Sequence, residues 1–157
     1  NTYTASETLK SVAPITRIEQ KNNSGFTGED IEIKAYFTDP ADEVNFYLFK
    51  YVYSNKVTSN YYVSEDKFYQ GNEIFSSAID EDLKAGDEVE VTHYGISKQY
   101  YNYMNILVSI AGSNVGGPFQ SPPATVKGNI INTTDKNNYP LGYFSLSETS
   151  TQKYKIE

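Results

Sequence analysis

The run from Val44 to Tyr53 constrains the fold more than any other stretch of this chain. Successive side chains of an extended chain point to opposite faces. Val44, Phe46, Leu48 and Val52 then fall on one face, and Tyr47, Phe49, Tyr51 and Tyr53 on the other. Both faces are apolar or amphipathic, so the segment is predicted to be a central strand, or one whose tyrosine face another element covers. The stretch before it alternates more simply. Ile31, Ile33, Ala35 and Phe37 interleave with Glu32, Lys34 and Tyr36, the period of a half-buried strand. Asp39-Pro40-Ala41-Asp42 ends it in a turn.

The remaining elements follow from the same periodicities. Pro14-Ile15-Thr16-Arg17-Ile18-Glu19 reads as a first strand, and Asn22-Asn23-Ser24-Gly25 and Thr27-Gly28 as loop. Tyr61-Tyr62-Val63 and Lys67-Phe68-Tyr69 are shorter extended pieces, and Gly71-Asn72 turns the chain into a strand over 74–79. An acidic connection from Asp80 to Asp87 precedes Val89 and Val91, which alternate with Glu88, Glu90 and Thr92. Then the period changes: Tyr100, Tyr103, Met104, Leu107 and Ile110 recur at helical spacing. With Ser97 as N-cap and Gly112 as terminator, a helix is predicted over 98–111. Strands are expected again over 124–131 and 142–148, with a last one over 152–156.

The fold expected from this pattern is all-β: an immunoglobulin- or fibronectin-like β-sandwich of about seven to nine strands, with one helix packed near residues 98–111. Composition agrees, with 15 Tyr and 8 Phe in 157 residues, types that favour pleated, half-buried surfaces. Residues 1–13 are read as a linker or the remnant of a preceding module, and 14–157 as a single sandwich domain. The opening Asn1-Thr2-Tyr3-Thr4-Ala5-Ser6 reads as mid-chain sequence, so a targeting segment is expected upstream.

Charge and cysteine content exclude several classes of function. The net charge is −7, which gains nothing from phosphate counterions and argues against nucleic acid or an anionic lipid surface as partner. The absence of cysteine removes disulfides, thiol nucleophiles and thiolate metal sites. No apolar run approaches the ~18 residues a transmembrane helix needs.

Candidate chemistry is sparse. His93 is the one histidine and shares the inward face of its strand with Val91. Without a second His or a Cys it reads as a structural residue rather than a base or metal ligand. The acids Asp80, Glu81, Asp82, Asp87 and Glu88, like Asp39, Asp42 and Glu43, read as solvated loop charges, because their spacing does not fit a calcium loop. No G-x-S-x-G elbow and no phosphate-binding glycine loop is present. No catalytic residue, metal or cofactor is therefore expected. Asn132-Thr133-Thr134 fits a glycosylation acceptor but is read as a loop. Tyrosines remain the ambiguous feature. Tyr47, Tyr51, Tyr53 and Tyr101, with Phe119 in its Gly116-Gly117-Pro118 loop, are the candidate binding residues. The alternative is that the tyrosines pack the helix onto the sheet and finish the core.

Several short stretches occur in an order and spacing that resemble one family. They are Tyr3-Thr4-Ala5-Ser6 with Pro14-Ile15, and Asp39-Pro40 before Asn45-Phe46-Tyr47. Ser64-Glu65-Asp66-Lys67-Phe68-Tyr69-Gln70-Gly71, Gly86-Asp87-Glu88-Val89 and Ser97 with Tyr100 to Tyr103 follow. The series closes with Pro118-Phe119, Pro122-Pro123, Gly128-Asn129-Ile130 and Leu141-Gly142-Tyr143-Phe144. Together they resemble the Bacteroidetes domain of unknown function numbered 4249, over Tyr3 to about Ser147. The resemblance implies a predicted envelope lipoprotein, outer-membrane-anchored or periplasmic, whose relatives accompany TonB-dependent receptors. It supplies no catalytic residues. The function expected is a non-catalytic binding or interaction module accessory to outer-membrane nutrient uptake, with a receptor protein or an extracellular ligand as partner. The alternatives are a carbohydrate-binding module with a tyrosine platform and a carboxylate-based hydrolase.

Overall fold

The computed structural model describes residues 1–67, 70–112 and 126–157. In chain order the elements are β1 (Tyr3–Thr4), β2 (Arg17–Ser24), β3 (Asp30–Thr38), β4 (Phe46–Tyr53) and β5 (Ser59–Glu65). They continue with β6 (Glu73–Asp80), β7 (Glu88–Ile96), α1 (Lys98–Gly112), β8 (Ile131–Asn132) and β9 (Thr149–Lys155). One sheet has the order β2-β3-β6 and a second β5-β4-β7-β9, and β1 pairs with β8. All pairings are antiparallel. The fold is an all-β sandwich with one helix.

β4 is central, between β5 and β7, and its two faces serve different layers. Tyr47, Phe49, Tyr51 and Tyr53 turn inward and meet Ile33, Ala35 and Phe37 of β3, Ala78 of β6 and Val89 and Val91 of β7. Phe37 bridges the layers, with ring centroids 5.1 Å from Tyr47 and 5.6 Å from Phe49. Burying one such ring removes roughly 150–250 Å² from water, worth about 4–6 kcal/mol at ~25 cal/mol per Å². The other face of β4 lies beneath α1, where Phe46 meets Tyr101 at 5.1 Å. The tyrosine face of β4 is thus covered by the opposite sheet, and the Phe46 face by the helix.

α1 begins as its sequence implies. Ser97 Oγ accepts the Tyr100 N–H at 3.1 Å, the N-cap bond that satisfies one free amide of the first turn. Tyr100 and Tyr103 stack on Tyr143 at 4.8 and 5.1 Å. Glu7 Oε2 accepts hydrogen bonds from the Tyr143 hydroxyl at 2.7 Å and the Ser97 hydroxyl at 2.9 Å. Ser6 to Lys10 is not helical. It runs as an extended strap beside the helix start.

The last third departs from the expected strands. Among the described residues, 126–130 and 142–148 form no strand, and β8 is two residues long. The cause is local. Gly128 packs so closely on Gly142 that a Cβ there would lie 1.6 Å from the Gly142 carbonyl oxygen, and the Asn129 side chain takes hydrogen bonds that a ladder would otherwise make. Asn132 is buried: it donates to the Asn138 carbonyl and accepts the N–H groups of Thr134 and Asp135. That folds an Asx turn and leaves no exposed amide at the sequon.

Candidate functional site

β5 and β6 are sheet edges, each paired on one side only among the described residues, and they close the sandwich incompletely. A cavity of about 660 Å³ opens between them. Its walls are apolar, from Phe37, Phe49, Tyr62 and Ile74, and Ser64 and Ser76 add hydroxyls. Strand alternation explains this lining. Tyr62 and Ser64 share the inner face of β5, as Ile74 and Ser76 share that of β6, and the two serines are too small to fill the gap between layers. A second hollow of about 580 Å³ lies on the outer side of β5, lined by Tyr61, Met104 and Leu107.

One end of the cleft carries an unexpected polar cluster. Asp39, just beyond β3, is 1% exposed and Asp66, just beyond β5, is 0% exposed. The Tyr47 hydroxyl donates to Asp39 Oδ1. The Asn45 N–H donates to Asp66 Oδ2 at 2.8 Å. The other oxygens, Asp39 Oδ2 and Asp66 Oδ1, are buried without a hydrogen-bond partner among the described residues. Burial raises the Asp39 pKa and the neighbouring Asp66 carboxyl adds to the rise, while the Tyr47 hydroxyl and the Gly71 backbone work against it. Burial, with Asp39 beside it, also pushes the Tyr47 phenol well above its ordinary range. The sequence reading places Asp39 in solvent with Asp42 and Glu43. Those two are exposed, but Asp39 is drawn inside because it follows the inward-facing Phe37 by two residues. Asp80 is likewise buried, held by Lys56 Nζ at 2.7 Å.

His93 lies in the core, 0% exposed, stacked on Phe49 at 4.2 Å and flanked by Phe37 at 4.4 Å and Tyr47 at 4.7 Å. Neither ring nitrogen has a hydrogen-bond partner among the described residues. Burial lowers its pKa to about 3; the Ala13 backbone opposes the shift but lies outside hydrogen-bonding geometry. The ring is neutral and packs as an aromatic.

The five candidate binding residues are not brought together. Tyr47, Tyr51 and Tyr53 are interior, so they offer a ligand no surface, because β4 needs that face against the opposite sheet. Tyr51 is 0% exposed and its hydroxyl has no partner of normal geometry. Burial pushes its pKa far up, and Ser76, on the cleft wall, is its polar neighbour. Tyr101 is half-buried on Phe46, across the sheet from the other three. Phe119 lies outside the described residues. Sequence reasoning missed the convergence of Asp39, Tyr47 and Asp66. The available signal was that two of the stretches quoted above, Asp39-Pro40 with Asn45-Phe46-Tyr47 and Ser64 to Gly71, each contain an acid beside a strand end.

Among the described residues, no helix is long and apolar enough to cross a membrane, which says nothing about strands. No curated protein and no solved structure matches the chain. Residues 1–153 of the 157 match the family described as Domain of unknown function (DUF4249), and the chain belongs to that family.

Proposed function

We propose that this domain is a non-catalytic binding module of a bacterial envelope lipoprotein, accessory to nutrient uptake through a TonB-dependent outer-membrane receptor. The observation that carries the binding reading is the cleft between β5 and β6. It offers apolar walls with a few hydroxyls, the usual make-up of a recognition site, and two strand edges whose free backbone groups can accept an extended segment. The resemblance to envelope lipoproteins supports the location. Interior placement of Tyr47, Tyr51 and Tyr53 weakens the carbohydrate-platform alternative. The hydrolase alternative gains converging carboxylates in Asp39 and Asp66, but they are sealed from any substrate.

The test is a pull-down of the full-length, lipid-anchored protein from its native outer membrane, read by mass spectrometry, with a Ser64→Phe variant whose ring fills the cleft. A TonB-dependent receptor that co-purifies with the wild type and is lost with Ser64→Phe is the expected result. Retention of the receptor by Ser64→Phe moves the contact off the cleft. Recovery of the protein alone overturns the receptor reading.

A further inference from the structure

We propose that Asp39 and Asp66 share one proton, and that this proton closes a latch between the corner after β3 and the connection after β5. The argument is a count of donors. Four carboxylate oxygens meet there, all buried. Two are satisfied, Asp39 Oδ1 by the Tyr47 hydroxyl and Asp66 Oδ2 by the Asn45 N–H. Two have no hydrogen-bond partner among the described residues: Asp66 Oδ1 and Asp39 Oδ2, with the Gly71 backbone near Asp39 but outside hydrogen-bonding geometry. An ionised carboxylate can only accept, so two facing acceptors cannot satisfy each other, whereas one protonated carboxyl donates to its neighbour. A single proton therefore satisfies both orphaned atoms. It also removes one of two adjacent buried charges, a far larger cost than a lost hydrogen bond.

A cation is the competing occupant, and the surroundings disfavour it. Among the described residues no cluster of three or more His, Asp or Glu side chains suits a metal ion.

The other titratable groups near the pair are Glu43, Lys67 and His93. Glu43, on the loop before β4, adds a further negative charge facing Tyr47. Lys67, next in the chain to Asp66, is itself engaged in an interaction. His93 borders the Tyr47 ring from β7 and is neutral.

The latch joins backbone as well as side chains. The Asp66 N–H donates to the Asn45 carbonyl at 3.2 Å and the Asp39 N–H to the Asn72 carbonyl at 3.0 Å. Glu65 and Asn72 both line the cleft. Loss of the proton sets two carboxylates against each other at that end of the cleft and loosens the hold of Asp66 on the corner after β3. The sign follows from the raised Asp39 pKa: the stabilisation is present at low pH and lost as pH rises through the folded value. The inference stands whatever the cleft binds.

The test uses the full 157-residue chain, with thermal melts of the wild type and Asp66→Asn from pH 4 to 9; His93 is common to both proteins and cancels in the difference. The amide introduced by Asp66→Asn supplies permanently the donor that the proton supplies reversibly. Asp66→Asn is expected to gain on the wild type as pH rises through the folded Asp39 value and to exceed it at pH 9 by about 2–4 °C, the effect of one hydrogen bond in a chain this size. Carboxyl-carbon NMR of the wild type is expected to show the Asp39 proton leaving above the ordinary aspartate range; this titration decides alone if Asp66→Asn does not fold. Titration of Asp39 in the ordinary range, or an equal Tm loss by Asp66→Asn at every pH, overturns the proposal. So does a wild-type Tm that rises with calcium and falls with chelator at pH 9.

Discussion

Asn129 and Phe144 exchange a pair of hydrogen bonds as facing residues of an antiparallel ladder do, except that one partner is a side chain. The Phe144 N–H donates to Asn129 Oδ1 at 2.8 Å, and Asn129 Nδ2 donates to the Phe144 carbonyl at 2.9 Å. The same Nδ2 donates to the Ser6 carbonyl at 3.0 Å. One amide thus ties the N-terminal strap to both halves of the C-terminal segment, where the backbone itself forms no ladder.

Asn129→Ala should lower stability by about 1–2 kcal/mol, since each lost hydrogen bond contributes roughly 0.5–1.5 kcal/mol and these three lie in exposed positions where water competes. Asn129→Asp should cost at least as much at neutral pH, because a carboxylate accepts from Phe144 N–H but repels the two carbonyls. Urea denaturation of the three proteins checks the ranking. Wild-type stability in Asn129→Ala would show that water replaces the amide without cost.

Gly128 occupies the neighbouring position for a steric reason. A Cβ there would sit 1.6 Å from the Gly142 carbonyl oxygen and 3.2 Å from Tyr143 Cα, both backbone atoms. Gly128→Ala must separate the two segments, so it is expected to cost about 1–3 kcal/mol, the range of overpacking. It should also raise hydrogen exchange at the Phe144 N–H held by Asn129. Loss of stability with that amide still protected would place the strain elsewhere.

His93 gives the fold its acid limit. Its folded pKa near 3 lies below the unfolded value near 6.5, so the stabilisation is complete above 6.5 and is lost as pH falls. Between pH 6.5 and 5 the wild type should lose about 2 kcal/mol from this group, at 1.36 kcal/mol per unit. His93→Leu should flatten that limb, since a leucine packs against Phe37 and Phe49 with nothing to protonate. Urea midpoints at pH 5, 6 and 7 measure it, and parallel slopes for the two proteins would remove His93 as the cause.

How much was legible in the sequence depended on whether alternation alone decides the outcome. β4 and β3 were readable because their faces are written in period two, and α1 because Ser97 and the Tyr100–Ile110 spacing agree. The segments at 126–130 and 142–148 look like strands by composition, but Gly128 brings the chains too close for a ladder and Asn129 satisfies the backbone instead. Side-chain substitution of that kind has no periodic signature. The tyrosines of β4 were ambiguous for a related reason. Period two separates Tyr47, Tyr51 and Tyr53 from Phe46 and Leu48, yet does not say which face meets the sheet and which the helix. The cleft and the carboxyl pair depend on where two sequence-distant strand ends, at Thr38 and Glu65, come to lie in space.

Of the points that hold the strap formed by the first residues, Glu7 is one that can be cut cleanly. Glu7 Oε2 accepts from both Tyr143 and Ser97, and burial together with the Glu7 carboxyl pushes the Tyr143 phenol up to about 12. Further along, Gly95 of β7 passes so close to the strap that a Cβ would lie 2.0 Å from the Ser11 carbonyl oxygen. Glu7→Gln keeps an acceptor and should be nearly neutral, whereas Glu7→Ala leaves two hydroxyls without one and should cost about 1–2 kcal/mol. Its local effect should be larger than its global one: the β1–β8 pairing of Tyr3 with Asn132 lies beyond the anchor and has few other ties. Hydrogen exchange at the Thr133 N–H, which donates to the Thr2 carbonyl at 2.9 Å, reports it directly. Faster exchange there in Glu7→Ala, with β4 and β7 amides unchanged, is the expected outcome; uniform acceleration across all strands would mean that the strap and the sandwich unfold as one unit.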